Sequence, residues 1–235
     1  MAEFKHHEPC PACGSRDNLA RYTDGSAWCF GCRHYEPPTN FRGIDRDNEP
    51  QPKLIQQITL TKEFPKHVLD WLAKYEITVQ DCFTYGFRYN PERDQLVFSW
   101  YDDSGNLLGY NARNFAENSK RKYFTQGNIN DLLPIYHNDA SDKLVLVEDV
   151  VSAIKLCNVG YNSMPCLSSS VPTEKLARIA KMFRKVNVWL DSNMLHNSQK
   201  MASKLEAMGV QTVVIHTPLD PKEYPYEKLK EWMNL

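Results

Sequence analysis

No stretch of this 235-residue chain approaches the roughly 18 consecutive apolar residues that a membrane-spanning helix needs. The polar start, Met1-Ala-Glu-Phe-Lys, lacks the apolar core of an export signal. Both absences predict a soluble, cytoplasmic protein with no membrane partner. There is no internal repeat and no low-complexity segment, which excludes solenoids and arrays. A surplus of charge is also missing. With a formal net charge of −1 the chain has no global attraction to nucleic acid, so any such binding must come from local patches. Cysteine is sparse and odd in number, at seven, which argues for a reducing compartment and against a disulfide framework. The length leaves room for a sizeable core, in one large domain or two smaller ones.

What is present begins with the cysteines. Four of them form two close pairs, Cys10-Pro-Ala-Cys13 and Cys29-Phe-Gly-Cys32, with fifteen residues between. That spacing predicts a four-thiolate zinc ribbon, each pair on a tight knuckle and the insert folded as a hairpin. So short a segment buries little apolar surface, and Zn²⁺ is expected to supply most of its folding free energy. His6, His7 and His34 are expected in solvent or against a partner rather than on the metal. The same segment carries Arg16, Arg21, Tyr22, Trp28, Phe30, Arg33, His34 and Tyr35. Aromatics beside cations suit single-stranded nucleic acid, because bases stack on rings while guanidinium groups meet phosphates. Arg16, Trp28, Arg33 and His34 are the candidate contacts. The competing reading makes Trp28 and Tyr22 the miniature core of the ribbon, and at least one of them is expected there.

From Pro37 to Pro52 the sequence is polar, proline-bearing and without apolar periodicity, which reads as a linker. Val68, Leu69, Leu72 and Tyr75 then recur at helical spacing over residues 63–75, with Pro65 tolerable in the first turn. A short helical piece follows near Val79 to Cys82. Gln95 to Tyr101 and Leu107 to Arg113 alternate around the turn Asp102-Asp-Ser-Gly-Asn106, which predicts a β-hairpin. Lys120, Arg121 and Lys122 come next, leading into Tyr123 and Phe124. They form either a solvated charge run or a phosphate-binding element.

The last third alternates strand and helix: strands near 144–147, 161–167, 186–190 and 210–215, with helices near 150–157, 173–183, 198–208 and 226–233. Such alternation predicts a parallel sheet with helices on both faces. The run Leu144-Val-Leu-Val-Glu148-Asp149 ends a buried strand on an acid and passes at once into a helix. Val186-Asn-Val-Trp-Leu-Asp191-Ser-Asn193 repeats that design, and Leu219-Asp220-Pro-Lys-Glu223 brings further acids to the same edge. Ligands of open α/β sheets collect at that edge. Glu148, Asp191 and Asp220 therefore form a candidate oxygen-ligand set for Mg²⁺ or Mn²⁺, with Asn193 a weaker, neutral member. The plainer alternative is that Glu148 and Asp149 only begin a helix, where acids favour the dipole.

The three acidic stretches look like the motifs of a Toprim domain. Their order behind a four-cysteine ribbon is similar to that of bacterial and phage DNA primases, above all the primase half of phage primase-helicases. The resemblance covers nearly the whole chain. It implies a ribbon at 1–36, a linker at 37–56, a mixed α+β N-terminal subdomain of an RNA polymerase domain at 57–140, and a Toprim-like parallel α/β domain at 141–235. It also implies catalytic metal on Glu148, Asp191 and Asp220, Lys122 as the family's basic catalytic residue, and nucleotide contacts from Arg113, Lys120 and Asn193. The implied partners are a single-stranded DNA template, ribonucleoside triphosphates, the RNA primer and a separate replicative helicase, in a host cytoplasm. Three departures stand out: Asp149 where Gly is usual, Ser152 where phage members carry a further acid, and Asn193 in place of the second acid of an Asp-x-Asp pair. A non-catalytic replication or recombination module, binding single-stranded DNA or a helicase, and a Toprim nuclease are the alternative functions.

Overall fold

The computed structural model describes residues 3–38, 59–102, 104–117, 119–127, 132–168 and 170–233. The chain divides into two compact units, Met1–Gln51 and Pro52–Leu235. Of the expected linker, everything from residue 39 onward lies outside the described residues.

The first unit is an antiparallel sheet of four short strands in the order β1 (Phe4–Glu8), β2 (Leu19–Tyr22), β3 (Ala27–Cys29) and β4 (Tyr35–Glu36). An Asp24-Gly25 turn joins β2 to β3, with Gly25 at φ 86° and Asp24 accepting the Ser26 amide. The core is only Cys10, Leu19, Ala27 and Cys29. Neither Trp28 nor Tyr22 belongs to it, contrary to expectation. Cross-strand pairing aligns His7, Ala20, Trp28 and Tyr35 on one face, so the alternation that buries Ala27 and Cys29 turns Trp28 outward. Arg21 is likewise no free cation: it pairs with Glu8 and Glu36 across the strands.

The second unit begins with α1 (Lys66–Ala73) and α2 (Val79–Thr84), the latter opened by a Thr78/Asp81 capping box. An antiparallel sheet follows in sequence order: β5 (Arg88–Asn90), β6 (Gln95–Tyr101), β7 (Leu107–Asn114) and β8 (Tyr123–Gly127). The expected hairpin is β6–β7. The basic run at 120–122 leads into β8, a strand whose turn signals are masked by charge.

The last third holds the parallel sheet. Its strands are β9 (Lys143–Val147), β10 (Asn162–Pro165), β11 (Lys185–Trp189) and β12 (Gln211–Val214), in the order β10-β9-β11-β12. The helices are α3 (Val150–Asn158), α4 (Thr173–Met182), α5 (Leu195–Ala207) and α6 (Tyr226–Met233). Leu144, Leu146, Val186 and Val188 pack on one face with Leu176, Ile179 and Leu205 of α4 and α5. Val145, Val147 and Trp189 pack on the other with Ala153, Leu156 and Leu229 of α3 and α6. The helix α3 is buried from Val150 to Cys157 because Val150, Val151 and Ile154 also pack on α1, α2 and β6. Among the described residues, no helix is long and apolar enough to cross a membrane.

Inside α3 sits Lys155, only 1% exposed. Its ammonium donates to Glu76 Oε2 at 2.8 Å and to the carbonyls of Lys222 and Tyr224 at 3.2 and 2.6 Å, and lies 4.8 Å from the Tyr226 ring centre. A charge so deep is tolerable only when partnered. Lys155→Met should therefore cost roughly 2–4 kcal/mol, since Glu76 and two partly buried carbonyls lose their donor. Urea unfolding of the two proteins checks this, and a difference below about 0.5 kcal/mol would contradict the role assigned.

Candidate active site

The sheet order has a direct consequence for the acids. From β9 the chain crosses to β10 on one side, while β11 leads to β12 on the other, so the order reverses between the adjacent strands β9 and β11. Such a switch point opens a crevice at the carboxyl ends of its two strands. Glu148 follows β9 directly, and Asp191 lies two residues beyond Trp189 of β11, which pairs with Val147.

Each acid is fixed by its surroundings. The Glu148 carbonyl accepts the Leu167 amide at 3.0 Å, and Leu167 holds a left-handed backbone, φ 59°, unusual for a side chain of that size. The Trp189 indole donates to the Thr217 hydroxyl at 2.7 Å, which donates to the Leu219 carbonyl at 2.8 Å, setting the loop that delivers Asp220. Asp149 caps α3: one oxygen accepts the Val151 and Ser152 amides and the other the Ser152 hydroxyl. The helix-start reading is thus true of Asp149, while Glu148 is left for other chemistry. Ser152, 1% exposed, serves the cap. Asn193 lies exposed in a 3-10 turn at Ser192–Met194.

Electrostatically the edge is strained. Glu148 Oε2 is buried without a hydrogen-bond partner. Burial, then the charges of Asp149 and Asp220, push the Glu148 carboxyl above its usual range. Burial, then Glu148 and Asp220, push Asp191 up to about 7. Lys222 was not anticipated as a site residue; it reaches Asp220 at 2.6 Å and Asp149 at 2.9 Å. Burial works against its charge, but the two carboxylates outweigh that and hold its pKa above the ordinary lysine value.

The β5–β8 sheet adds an aromatic cradle. The Arg113 guanidinium lies 5.1 Å from the ring centres of both Trp71 and Tyr123 and 5.6 Å from that of Phe115, and its Nε is buried without a partner. Burial raises the Tyr123 pKa, as does Asp149, while Arg113 and Lys222 oppose it. Trp71 and Tyr123 escaped the sequence reading because residues 52 apart in the chain meet only through the fold. Lys120 and Lys122 are exposed just before β8 and are not drawn into this cluster by any described contact.

In the first unit the four thiol sulfurs all lie within 4.8 Å of one another, with Cys10 to Cys32 at 3.6 Å and Cys13 to Cys29 at 3.8 Å. This is a tetrahedral set suited to zinc, and among the described residues it is the one set of three or more ligands gathered so closely. Trp28, Phe30 and Tyr35 are 37%, 65% and 55% exposed. Arg16 and Arg33 are exposed, and His34 lies 3.5 Å from Glu36. The other cysteines, Cys82, Cys157 and Cys166, are buried, and burial raises their thiols, Cys82 and Cys166 to about 12.

A four-cysteine ribbon followed by a parallel α/β sheet is a fold that solved primase structures share. The Aquifex aeolicus primase, solved with its zinc-binding and RNA polymerase domains, aligns over 99% of this chain and 79% of its own, with a TM-score of 0.60 and 13% identity. The DnaG primase catalytic domain bound to single-stranded DNA aligns over 72% of this chain and 70% of its own, with a TM-score of 0.56 and 15% identity. In sequence the chain is similar to the DNA helicase/primase of Enterobacteria phage T3, 46% identical over 179 residues. That match takes in 70% of this chain and 30% of the T3 protein, so the chain spans under a third of its relative. No family model matches the chain.

Two outcomes follow. Cys29→Ser should lower zinc from about one per chain to near none and unfold the ribbon, read by metal analysis and by near-ultraviolet dichroism of Trp28; full zinc retention would argue against the four-thiolate site. The second concerns pH. Asp191 titrates at about 7 in the fold against 3.8 ordinarily, so the folded chain retains a proton that the unfolded chain has released. Its contribution to stability is complete below 3.8 and is lost as pH rises through about 7. Without added divalent cations, denaturation midpoints should fall between about pH 4 and pH 8, and Asp191→Asn should flatten that slope. An unchanged slope in the variant would refute the assignment.

Proposed function

We propose that this chain is a DNA primase, a DNA-dependent RNA polymerase that joins ribonucleotides into short primers on single-stranded DNA. The observation that carries the reading is the pair Glu148 and Asp191, partly buried acids on the two strands that flank the switch point of a primase-type sheet. The similarity to the T3 helicase/primase supports it.

The residues fit a divalent cation, because Glu148 has a buried oxygen without a partner and Asp191 holds its charge only at a cost. Glu148 and Asp191 would hold Mg²⁺ or Mn²⁺, with Asp220 beside them. When bound, the ion supplies positive charge that favours a 3′-oxyanion and the charge developing on a transferred phosphate. The remaining work falls to the protein's own groups. Arg113, held by its aromatic neighbours, presents a guanidinium toward a nucleotide triphosphate, and rings fix its orientation without neutralising it. Lys120 and Lys122, exposed before β8, are assigned to phosphate contacts with template or nucleotide. Asn193 lies exposed after Asp191, within reach of an incoming ligand. On the ribbon, which would be held by zinc on its four thiolates, Trp28 offers a ring for base stacking while Arg16, Arg33 and His34 supply cations or donors. A separate replicative helicase is the partner assigned to the primase, a reading supported by the helicase in the name of the T3 relative.

A second reading is favoured by one observation: Ser152 is committed to the Asp149 cap and Asn193 is neutral, which leaves few carboxylates for catalysis. On that reading the chain binds single-stranded DNA without polymerising. One experiment separates the two. Single-stranded template, labelled ribonucleoside triphosphates and Mg²⁺ or Mn²⁺ should yield template-dependent oligoribonucleotides, reduced on the order of 100-fold by Glu148→Gln. DNA binding with no product under either metal would instead establish the binding module, and cleaved template a nuclease.

A further inference from the structure

The carboxylates at the sheet edge fall into two groups. Asp149 is used entirely within the protein: Oδ1 accepts the amides of Val151 and Ser152 at 2.9 and 3.1 Å, and Oδ2 accepts the Ser152 hydroxyl at 2.8 Å and the Lys222 ammonium at 2.9 Å. Asp220 Oδ2 takes the same ammonium at 2.6 Å. The Lys222 side chain is 14% exposed, and its backbone is anchored as well, since its carbonyl accepts from Lys155. The cation is therefore not a wandering surface lysine. Its position is set by the loop after β12, which Lys155 and the Trp189–Thr217 bond hold from two sides. In the other group, Glu148 keeps a buried oxygen with no partner, and none of the lysines or arginines in the described ion pairs reaches Glu148 or Asp191.

We propose that Lys222 is a built-in counter-ion that occupies half of the acidic edge, so that the edge takes one divalent cation, on Glu148 and Asp191, and not two. The inference rests on the primase reading for the presence of a metal there, and adds how many ions the edge accepts and which residue sets that number. An ion placed between Asp149 and Asp220 would have to share them with an ammonium under 3 Å away from both. Like charges so close in a site shielded from water repel strongly. Expelling Lys222 is no easier, because its backbone carbonyl is tied to α3 and the side chain has little exposed surface into which to swing. Glu148 and Asp191 take part in no described ion pair, Glu148 Oε2 has no hydrogen-bond partner, and a single hydrated dication meets that need.

The test counts ions rather than products. The zinc-loaded full chain is titrated with Mn²⁺, with free Mn²⁺ followed by electron paramagnetic resonance and heat by calorimetry, and each variant is first checked for an unaltered melting curve. The wild type should bind one Mn²⁺ besides its zinc, and Glu148→Gln should weaken that site at least tenfold. Lys222→Asn should bind two, and Lys222→Arg, which keeps the charge, should stay at one. Lys222→Gln is the neutral replacement if Lys222→Asn loses the native melt. Two Mn²⁺ on the wild type, or one on a folded neutral variant, would overturn the role of Lys222 and leave the primase reading intact. No Mn²⁺ on any protein would overturn the metal-dependent reading itself.

Discussion

The second unit depends on one buried ammonium. Lys155 lies within a helix that is covered on all sides, and it gathers a carboxylate from the loop after α1 and two carbonyls from the loop after β12. Placing a charge there would be prohibitive without those partners, which come from the turn after α1 and from the short 3-10 turn at Pro221–Glu223 and the residue after it. The same contact that neutralises Lys155 therefore determines where the chain runs at Lys222 and Tyr224. Because α3 starts immediately after Glu148 and Asp149, fixing that loop against α3 also fixes Asp220 against the first acids. Geometry at the crevice is set from behind, by a residue with no access to a ligand.

In front of that anchor, charge and topology act together. A parallel sheet whose order reverses between β9 and β11 leaves a gap at their carboxyl ends, and both strands are extended by an acid. Bringing four carboxylates to one edge raises the proton affinity of Glu148 and Asp191, which no described ion pair reaches, and draws a lysine onto the other two. The acids thus differ in function although their sequence contexts look alike. The aromatic cradle of Arg113 applies the same logic with opposite sign, keeping a cation desolvated but unneutralised near an edge rich in anions.

Much of this was legible in the sequence. The paired cysteines announce the ribbon, and strand-helix alternation announces the parallel sheet; α6 matches its expected limits, while α5 starts at Leu195, three residues before the expected Ser198. Four strands were not foreseen, one of them the two-residue β4. In β1 the residues Phe4 to His7 are all exposed, so it carries no apolar period, β5 is only three residues long, and β8 follows a charged run that obscures its start. The ribbon core was misjudged because size suggested Trp28 and Tyr22, whereas the strand register selects the small Ala27. Glu148, Asp191 and Asp220 were identifiable by position at strand ends. Lys155 was not, and neither was Lys222, whose pairing with nearby Asp220 gains its meaning from Asp149 and Lys155, both more than 60 residues away; no local pattern encodes such meetings.

The seven cysteines form two chemical populations. Three lie in the cores of the second unit, where burial keeps them as unreactive thiols. The other four are the frame of the first unit, with Cys13 and Cys32 at its surface. An oxidant meets these surface sulfurs first, and each sulfur oxidised takes a thiolate from the four-cysteine set of a unit whose clustered apolar core is four described residues. Oxidative damage therefore disassembles the ribbon while sparing the sheet, so the chain would lose the aromatic face of its ribbon before its acids lose their arrangement.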